Sequence, residues 1–115
     1  MDTENILLKC LKAKRIINDI EKARIETFST SLKLRKDDDL FIRDAITGYG
    51  SILKEELDNH YYITSVKINT IGSVLTYAII QRKDELAEIS VYAHEGLIKQ
   101  HLSDKTFALL NKILS

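Results

Sequence analysis

The amino-acid sequence predicts one α+β domain, in which a small antiparallel sheet packs against amphipathic helices. Three observations lead to this fold class. Apolar residues recur at helical spacing near both ends of the chain and after residue 39, whereas apolar and polar residues alternate in the segments between. The alternating segments are joined by short polar connections, which favours antiparallel pairing. The chain has 115 residues, an ordinary length for one domain, so residues 1–115 are expected to fold as a single unit.

The first element is predicted to be a helix over residues 3–26. Asp2 or Thr3 can cap its start, because a side-chain oxygen there accepts a backbone N–H that has no partner within the helix. The apolar residues that follow are spaced three or four apart and share one stripe: Ile6, Cys10, Ala13, Ile17 and Ile20. The charged residues fall largely on the other faces, as in an amphipathic helix.

Residues 28–35 are predicted to form a strand. Phe28, Thr30, Leu32 and Leu34 alternate with polar or charged residues, which is the two-residue period of a half-buried strand. The alternative is a continuation of the first helix, on which these apolar side chains would be scattered around the axis. A strand here would add a fourth member to the three-stranded sheet that is predicted further along the chain.

A second helix is predicted to begin at Asp39, which can cap it, and to end near Asn59-His60. Three consecutive acids, Asp37 to Asp39, favour a helix start because negative charge is stabilised at the positive end of the helix dipole. The apolar residues that follow fit a helical stripe: Ile42, Ala45, Ile46, Tyr49, Ile52, Leu53 and Leu57. Gly48 and Gly50 interrupt this stripe and indicate either a kink or the close approach of another backbone.

Three strands are predicted within residues 61–69, 74–82 and 86–93, where β-branched and aromatic residues are frequent. The short connections between them make the three strands an antiparallel meander. The third strand carries apolar residues on one face: Ala87, Ile89, Val91 and Ala93.

Two helices are predicted to end the chain. A short one lies around residues 97–102, and the last begins at Ser103 and carries its own apolar stripe at Phe107, Leu110, Ile113 and Leu114. The predicted element order is α-(β)-α-β-β-β-α-α, with the helices on one face of the sheet. That arrangement would leave apolar surface uncovered, which favours a homo-oligomer.

Charge is balanced over the whole chain but unevenly placed. The 17 Lys and Arg residues offset the 17 Asp and Glu residues. Residues 1–36 carry nine basic against five acidic residues, residues 37–60 carry two against seven, and residues 61–115 carry six against five. The zero balance argues against a protein whose main role is to hold a phosphate backbone, although a local basic face is compatible with it. The positive first segment is expected to attract the negative second one.

The composition predicts a cytoplasmic protein without a membrane span. The single cysteine, Cys10, cannot form a disulfide within the chain, and its place on an apolar stripe predicts a packing role. The first residues lack the pattern of a signal peptide, and the longest apolar runs are far shorter than the roughly 20 residues that cross a bilayer.

No sequence motif for catalysis, metal binding or cofactor binding is present, so no cofactor is expected. The candidate titratable groups are the three histidines and the acids at 37–39, namely His60, His94, His101, Asp37, Asp38 and Asp39. Their spacing does not reveal whether the histidines approach the aspartates. No metal-binding arrangement of histidines and cysteines occurs.

The sequence therefore favours a small non-catalytic interaction protein, which binds another protein and forms a homo-oligomer. The residues predicted for its interaction surface are Lys9, Lys12, Arg15, Lys33, Arg35 and Tyr49. The alternative is a nucleic-acid-associated factor that uses the basic face of the first helix. A third hypothesis, an enzyme built around His60 and His94, has the least support because no motif relates the two.

Overall fold

The computed structural model of the chain describes residues 3–17, 25–70, 72–93 and 101–115. Within these residues the chain forms three helices and five strands. In chain order they are α1 (Thr3–Ala13), β1 (Ile25–Lys33), α2 (Asp39–Thr47), β2 (Ile52–Glu56), β3 (Tyr61–Thr70), β4 (Gly72–Lys83), β5 (Leu86–Tyr92) and α3 (Leu102–Leu114).

The strands form one antiparallel sheet in the order β1-β5-β4-β3-β2. The hairpins β2–β3, β3–β4 and β4–β5 form a meander, and β1 pairs with the free edge of β5. The α+β class, the meander and the strand predicted over residues 28–35 are confirmed. The sheet has five strands rather than three or four, because β2 takes the place of part of a predicted helix.

The first helix is shorter than predicted. Residues 25 and 26, which the prediction places in the helix, belong to β1, and α1 already ends at Ala13. Arg15 adopts a left-handed backbone with φ of 59°, and the N–H of Ile16 donates to the carbonyl of Leu11 at 2.9 Å. This is the hydrogen-bond pattern that closes a helix C-terminus, usually with glycine in the left-handed position. An arginine there gives no sequence signal for a helix end.

The second helix is also shorter than predicted, since it ends at Thr47 and Ile52–Glu56 form β2. Gly50 explains the change of direction. A Cβ atom at Gly50 would lie 1.8 Å from the carbonyl oxygen of Ser65, so only glycine lets the two backbones meet there. The Ser65 and Lys67 N–H groups donate to the carbonyls of Ser51 and Tyr49 at 2.9 and 2.8 Å, which extends the pairing of β3 beyond β2. The close-approach interpretation of Gly50 was therefore the correct one.

Helices cover both faces of the sheet, not one face as predicted. Helix α1 packs on one face with a cluster of buried residues that includes Leu7, Leu11, Tyr61, Ile63 and Ile79. Helices α2 and α3 pack on the other face with a larger cluster that includes Ile42, Ile46, Tyr62, Ile80 and Leu110. Because both faces are covered, residues 61–66 of β3 are all buried rather than alternating.

The end of the chain agrees with the prediction of a last helix. Helix α3 begins at Leu102, one residue before the predicted cap Ser103, and His101 precedes it with a left-handed backbone. The predicted apolar face of the third strand, Ala87 to Ala93, is buried against α3. The prediction of a short helix around residues 97–102 falls mostly outside the described residues. Among the helices that the structure describes, none has the length and apolar character to span a bilayer.

Candidate functional site

Exposed apolar side chains gather around α2. Across the described residues, the large hydrophobic side chains that stay exposed are Leu40, Tyr49, Leu57, Leu75 and Leu86, with exposed fractions of 60%, 43%, 58%, 53% and 41%. All but Leu86 line depressions that adjoin α2 or the loop that follows it. We refer to the surface formed by Leu40, Tyr49, Leu57 and Leu75 as the α2 surface.

Three adjoining depressions make the α2 surface continuous. The largest, about 670 Å³, lies between α2 and the end of α3, with Phe41 and Ile113 in its lining. It shares Leu40 with a smaller depression of about 220 Å³ that also contains Leu57. It shares Tyr49 with a third depression of about 530 Å³ that contains Leu75. An exposed apolar area of this kind, rimmed by polar groups, is typical of an interaction site.

Both signs of charge surround the largest depression. Arg35, Lys36 and Lys112 contribute the cations, and Asp38 and Asp44 contribute the anions. The Asp38 side chain also caps α2 by accepting the N–H of Leu40 at 2.9 Å. The surface therefore offers complementary charges beside an apolar centre.

A partly buried hydrogen-bond network holds the start of α2 against the sheet. Asp39 Oδ1 accepts the Nε–H of Arg82 at 3.0 Å, and Asp39 Oδ2 lies 2.9 Å from Nδ1 of His60. The hydroxyl of Tyr62 donates to the Asp39 carbonyl at 3.4 Å. These contacts join the first turn of α2 to the β2–β3 turn, to β3 and to β4, so the α2 surface is presented by an anchored helix.

The electrostatics of this network favour an ionised Asp39. Burial alone would raise the pKa of Asp39, but the hydrogen bonds from Arg82 and His60, together with their charges, outweigh burial and lower the pKa. Burial raises the pKa of the Tyr62 hydroxyl, and the nearby negative charge of Asp39 raises it further. Asp39 therefore stays a carboxylate and Tyr62 stays a neutral donor.

His60 lies within hydrogen-bond distance of two other members of the network, Asp39 and Arg82. Its Nδ1 atom lies 2.9 Å from Asp39 and 3.1 Å from Nη2 of Arg82. One nitrogen atom can donate to the carboxylate or accept from the guanidinium, but not both at once. Either form of the imidazole thus has a hydrogen-bond partner, which suits a residue that closes a structural network.

The network is not a cluster of metal ligands in the described part of the chain. It contains one histidine and one carboxylate, and no group of three or more His, Cys, Asp or Glu residues there could hold a metal ion. His101 lies 3.9 Å from Asp104, on exposed side chains at the start of α3. His94 falls outside the described residues.

Of the residues predicted for an interaction surface, the structure brings Arg35 and Tyr49 together in the lining of the largest depression and places the other four elsewhere. Lys9 and Lys12 are exposed on α1, and Arg15 lies in the turn that ends it. Lys33 is exposed at the end of β1. Tyr49 follows α2 and lies within the α2 surface.

Arg35 has a structural contact that the sequence did not indicate. Its guanidinium donates from Nη2 to the carbonyls of Lys112 and Ser115 at 3.3 and 3.0 Å, at the end of α3. The same group lies 5.7 Å from the ring centre of Phe41. A cation beside the carbonyl end of a helix is favourable, so Arg35 joins α2, α3 and the end of β1.

Sequence reasoning missed most of the α2 surface. Leu57 was assigned to a buried helical stripe, because its spacing from Leu53 fits a helix that does not extend so far. Leu40 lies in the first turn of α2, where the prediction considered only the preceding acids. The pairing of Asp39 with His60 spans 21 positions along the chain, so no local pattern could reveal it.

Comparison with protein-family models, with curated proteins and with solved structures found no significant match.

Proposed function

We propose that the protein is a small non-catalytic interaction protein that self-associates through the α2 surface. The observation that carries the proposal is the clustering of Leu40, Tyr49, Leu57 and Leu75 in three adjoining depressions. Exposed apolar side chains cost free energy in water, and burying one of them stabilises a contact by about 1.5–3 kcal/mol. In keeping with its composition, we propose that it acts in the cytoplasm and without a cofactor.

The charges around the largest depression, between α2 and the end of α3, support a second copy of the chain as the partner. In a two-fold contact the same surface meets itself, so each positive group needs a negative group on the same surface. Lys36 and Lys112 provide the cations, and Asp38 and Asp44 provide the anions. A surface of one sign would repel its own copy, whereas this mixed surface attracts it.

The experiment is sedimentation equilibrium of the wild-type chain from about 1 to 500 µM, which covers the range of weak dimers. We expect a monomer–dimer equilibrium that Leu40→Gln weakens by at least about 10-fold, because an apolar anchor is lost. Leu86→Gln is the matched control, since Leu86 is an exposed leucine outside the three depressions. A wild-type chain that stays monomeric over this range contradicts self-association. Equal weakening by the two variants contradicts the choice of surface.

A second candidate function is nucleic-acid association through α1. Lys9, Lys12 and Arg15 are all exposed, and Glu4 is the one acidic residue of the helix. Binding through such a face loses affinity steeply with salt, because counterions are released from the phosphates. Filter binding across a salt series tests this, with the double variant Lys12→Gln/Arg15→Gln against Lys105→Gln on α3. Affinity that is indifferent to salt, or to the double variant, contradicts it.

A further inference from the structure

A groove between α1 and β2 combines positive charge with an apolar floor. Its volume is about 590 Å³, within the range of small-molecule sites. Lys9, Lys14 and Lys54 line it, and none of the lining residues carries a carboxylate. The groove shares no lining residue with the three depressions of the α2 surface.

The floor of the groove belongs to the core beneath α1. Ile6, Cys10 and Leu53 are partly buried and pack against the buried cluster on this face of the sheet. Their exposed parts, with the methyl group of Ala13, form the apolar side of the groove. An apolar ligand body placed there would remove this area from water, which is favourable.

Two of the three lysines, Lys14 and Lys54, place positive charge near this floor. The Lys54 ammonium lies 5.9 Å from the ring centre of Tyr61, and hydrogen bonding with that side chain raises the pKa of Lys54. Burial raises the pKa of the Cys10 thiol, while the positive charges of Lys14 and Lys54 act in the opposite direction. The thiol at the floor therefore lies within the field of two of the three amines.

We propose that this groove binds an organic anion, in which a phosphate or carboxylate group is attached to an apolar body. The three amines would hold the anionic group, and the floor formed by Ile6, Cys10 and Leu53 would take the apolar body. Lysine ammonium groups act as mobile point charges rather than as rigid forks, so they select the charge of the ligand more than its shape. A neutral apolar molecule would contact only the apolar floor, and a bare inorganic anion would contact only the amines.

The single cysteine of the chain provides a direct reporter of occupancy. Cys10 lines the groove, so a ligand seated there shields its thiol from a neutral alkylating reagent such as iodoacetamide. A bound anion also disfavours the thiolate, which is the reactive form, and slows alkylation further. The measured quantity is the ratio of the alkylation rates without and with ligand, followed by mass spectrometry on the full-length chain.

Four probes separate the two halves of the site: octyl phosphate, octanoate, inorganic phosphate and octanol, each below its aggregation limit. We expect octyl phosphate or octanoate to slow alkylation of Cys10 at concentrations where inorganic phosphate and octanol have little effect. Protection by one or both of the two organic anions supports the proposal, and the difference between them identifies the preferred anionic group. Protection by octanol equal to that of the organic anions, or the absence of protection, overturns it.

Variants then test the role of the amines. Exposed charge pairs are weak, so Lys54→Gln should weaken binding of the protecting anion by about 2- to 5-fold. The double variant Lys14→Gln/Lys54→Gln should weaken it by about 4- to 25-fold if the two contributions add. Lys105→Gln on α3 is the control and should bind as the wild type does. Unchanged protection in the double variant, with unfolding curves like that of the wild type, contradicts the proposal.

Discussion

The imidazole Nδ1 of His60 lies 2.9 Å from Oδ2 of Asp39 and thereby joins the β2–β3 turn to the first turn of α2. Arg82 holds the other oxygen of the same carboxylate from β4. The position of α2, and with it the α2 surface, thus depends on one partly buried carboxylate whose side chain is 27% exposed. Four predictions follow from this network and from the contacts that position the elements around it.

The first prediction concerns the charge of Asp39. Asp39→Asn should lower the free energy of unfolding by about 1–3 kcal/mol, because Arg82 and His60 lose a charged acceptor. Urea denaturation at neutral pH measures the change. Asp44→Asn is the matched control, since Asp44 is exposed on the same helix, and it should change stability by no more than about 0.5 kcal/mol. Equal stabilities for the two variants would show that the network does not hold α2.

The second prediction is a pH dependence with a defined sign. The folded pKa of Asp39 is lowered, so the unfolded chain takes up a proton at a higher pH than the folded chain does. The stabilisation is fully present above the ordinary pKa of 3.8 and is lost as the pH falls through the folded pKa. The stability difference between the wild type and Asp39→Asn should therefore be constant well above pH 3.8 and shrink as the pH falls below it towards the lowered folded pKa. A difference that stays constant as the pH falls below 3.8 would contradict the assignment to Asp39.

The third prediction uses the two glycines that follow α2. Gly50→Ala should lower stability by about 1–3 kcal/mol, because the new methyl group meets the backbone of Ser65 and forces a shift. Gly48→Ala should be neutral or stabilising by up to about 1 kcal/mol, since its φ is −71° and its Cβ position has only ordinary contacts. Thermal unfolding of both variants provides the comparison. If Gly50→Ala is more stable than Gly48→Ala, the inference of a close backbone approach at Gly50 is wrong.

The fourth prediction concerns the attachment of α3 to the sheet. The buried hydroxyls of Thr76 and Thr106 lie 2.7 Å apart and form a hydrogen bond in which either can be the donor. The Thr106 hydroxyl also lies 2.7 Å from the carbonyl of Leu102, and the Thr76 hydroxyl lies 3.4 Å from the carbonyl of Val66. Thr106→Val should lower stability by about 1–3 kcal/mol, because the buried Thr76 hydroxyl loses its nearest hydrogen-bond partner. A double-mutant cycle with Thr76→Val measures the pair directly. We expect the double variant to lose at least about 0.5 kcal/mol less than the two single variants together, whereas strict additivity would argue against the hydrogen bond.

Local patterns predicted the elements whose environment matches their own periodicity. The alternation in residues 28–35 predicted β1, and the apolar face of Ala87 to Ala93 predicted β5, because Leu32 and Leu34 pack into the same core as that apolar face. The last helix was predicted for the same reason, since Leu110 and Leu114 face the sheet at helical spacing. In these segments the local pattern and the tertiary packing favour the same structure.

The predictions went wrong where a local pattern continued past a structural boundary. Helical spacing runs on from Ala13 to Ile17 and from Ile46 to Leu53, although each helix ends earlier. The first end depends on a left-handed arginine, and the second depends on a close approach between Gly50 and Ser65. A segment with mixed spacing can form a helix or a strand, and its partner in the fold decides between them.

The sequence by itself determined the α+β class, the antiparallel meander and the terminal helix, because those follow from side-chain periods of two and of three to four residues. Only the tertiary structure decided that helices cover both faces of the sheet and that β2 is a strand. It alone brought Asp39 together with His60 and Arg82, and Lys14 together with Lys54. Contacts between residues that are distant along the chain form only when the elements pack. The periodicity of one segment therefore does not indicate which distant residues it will contact.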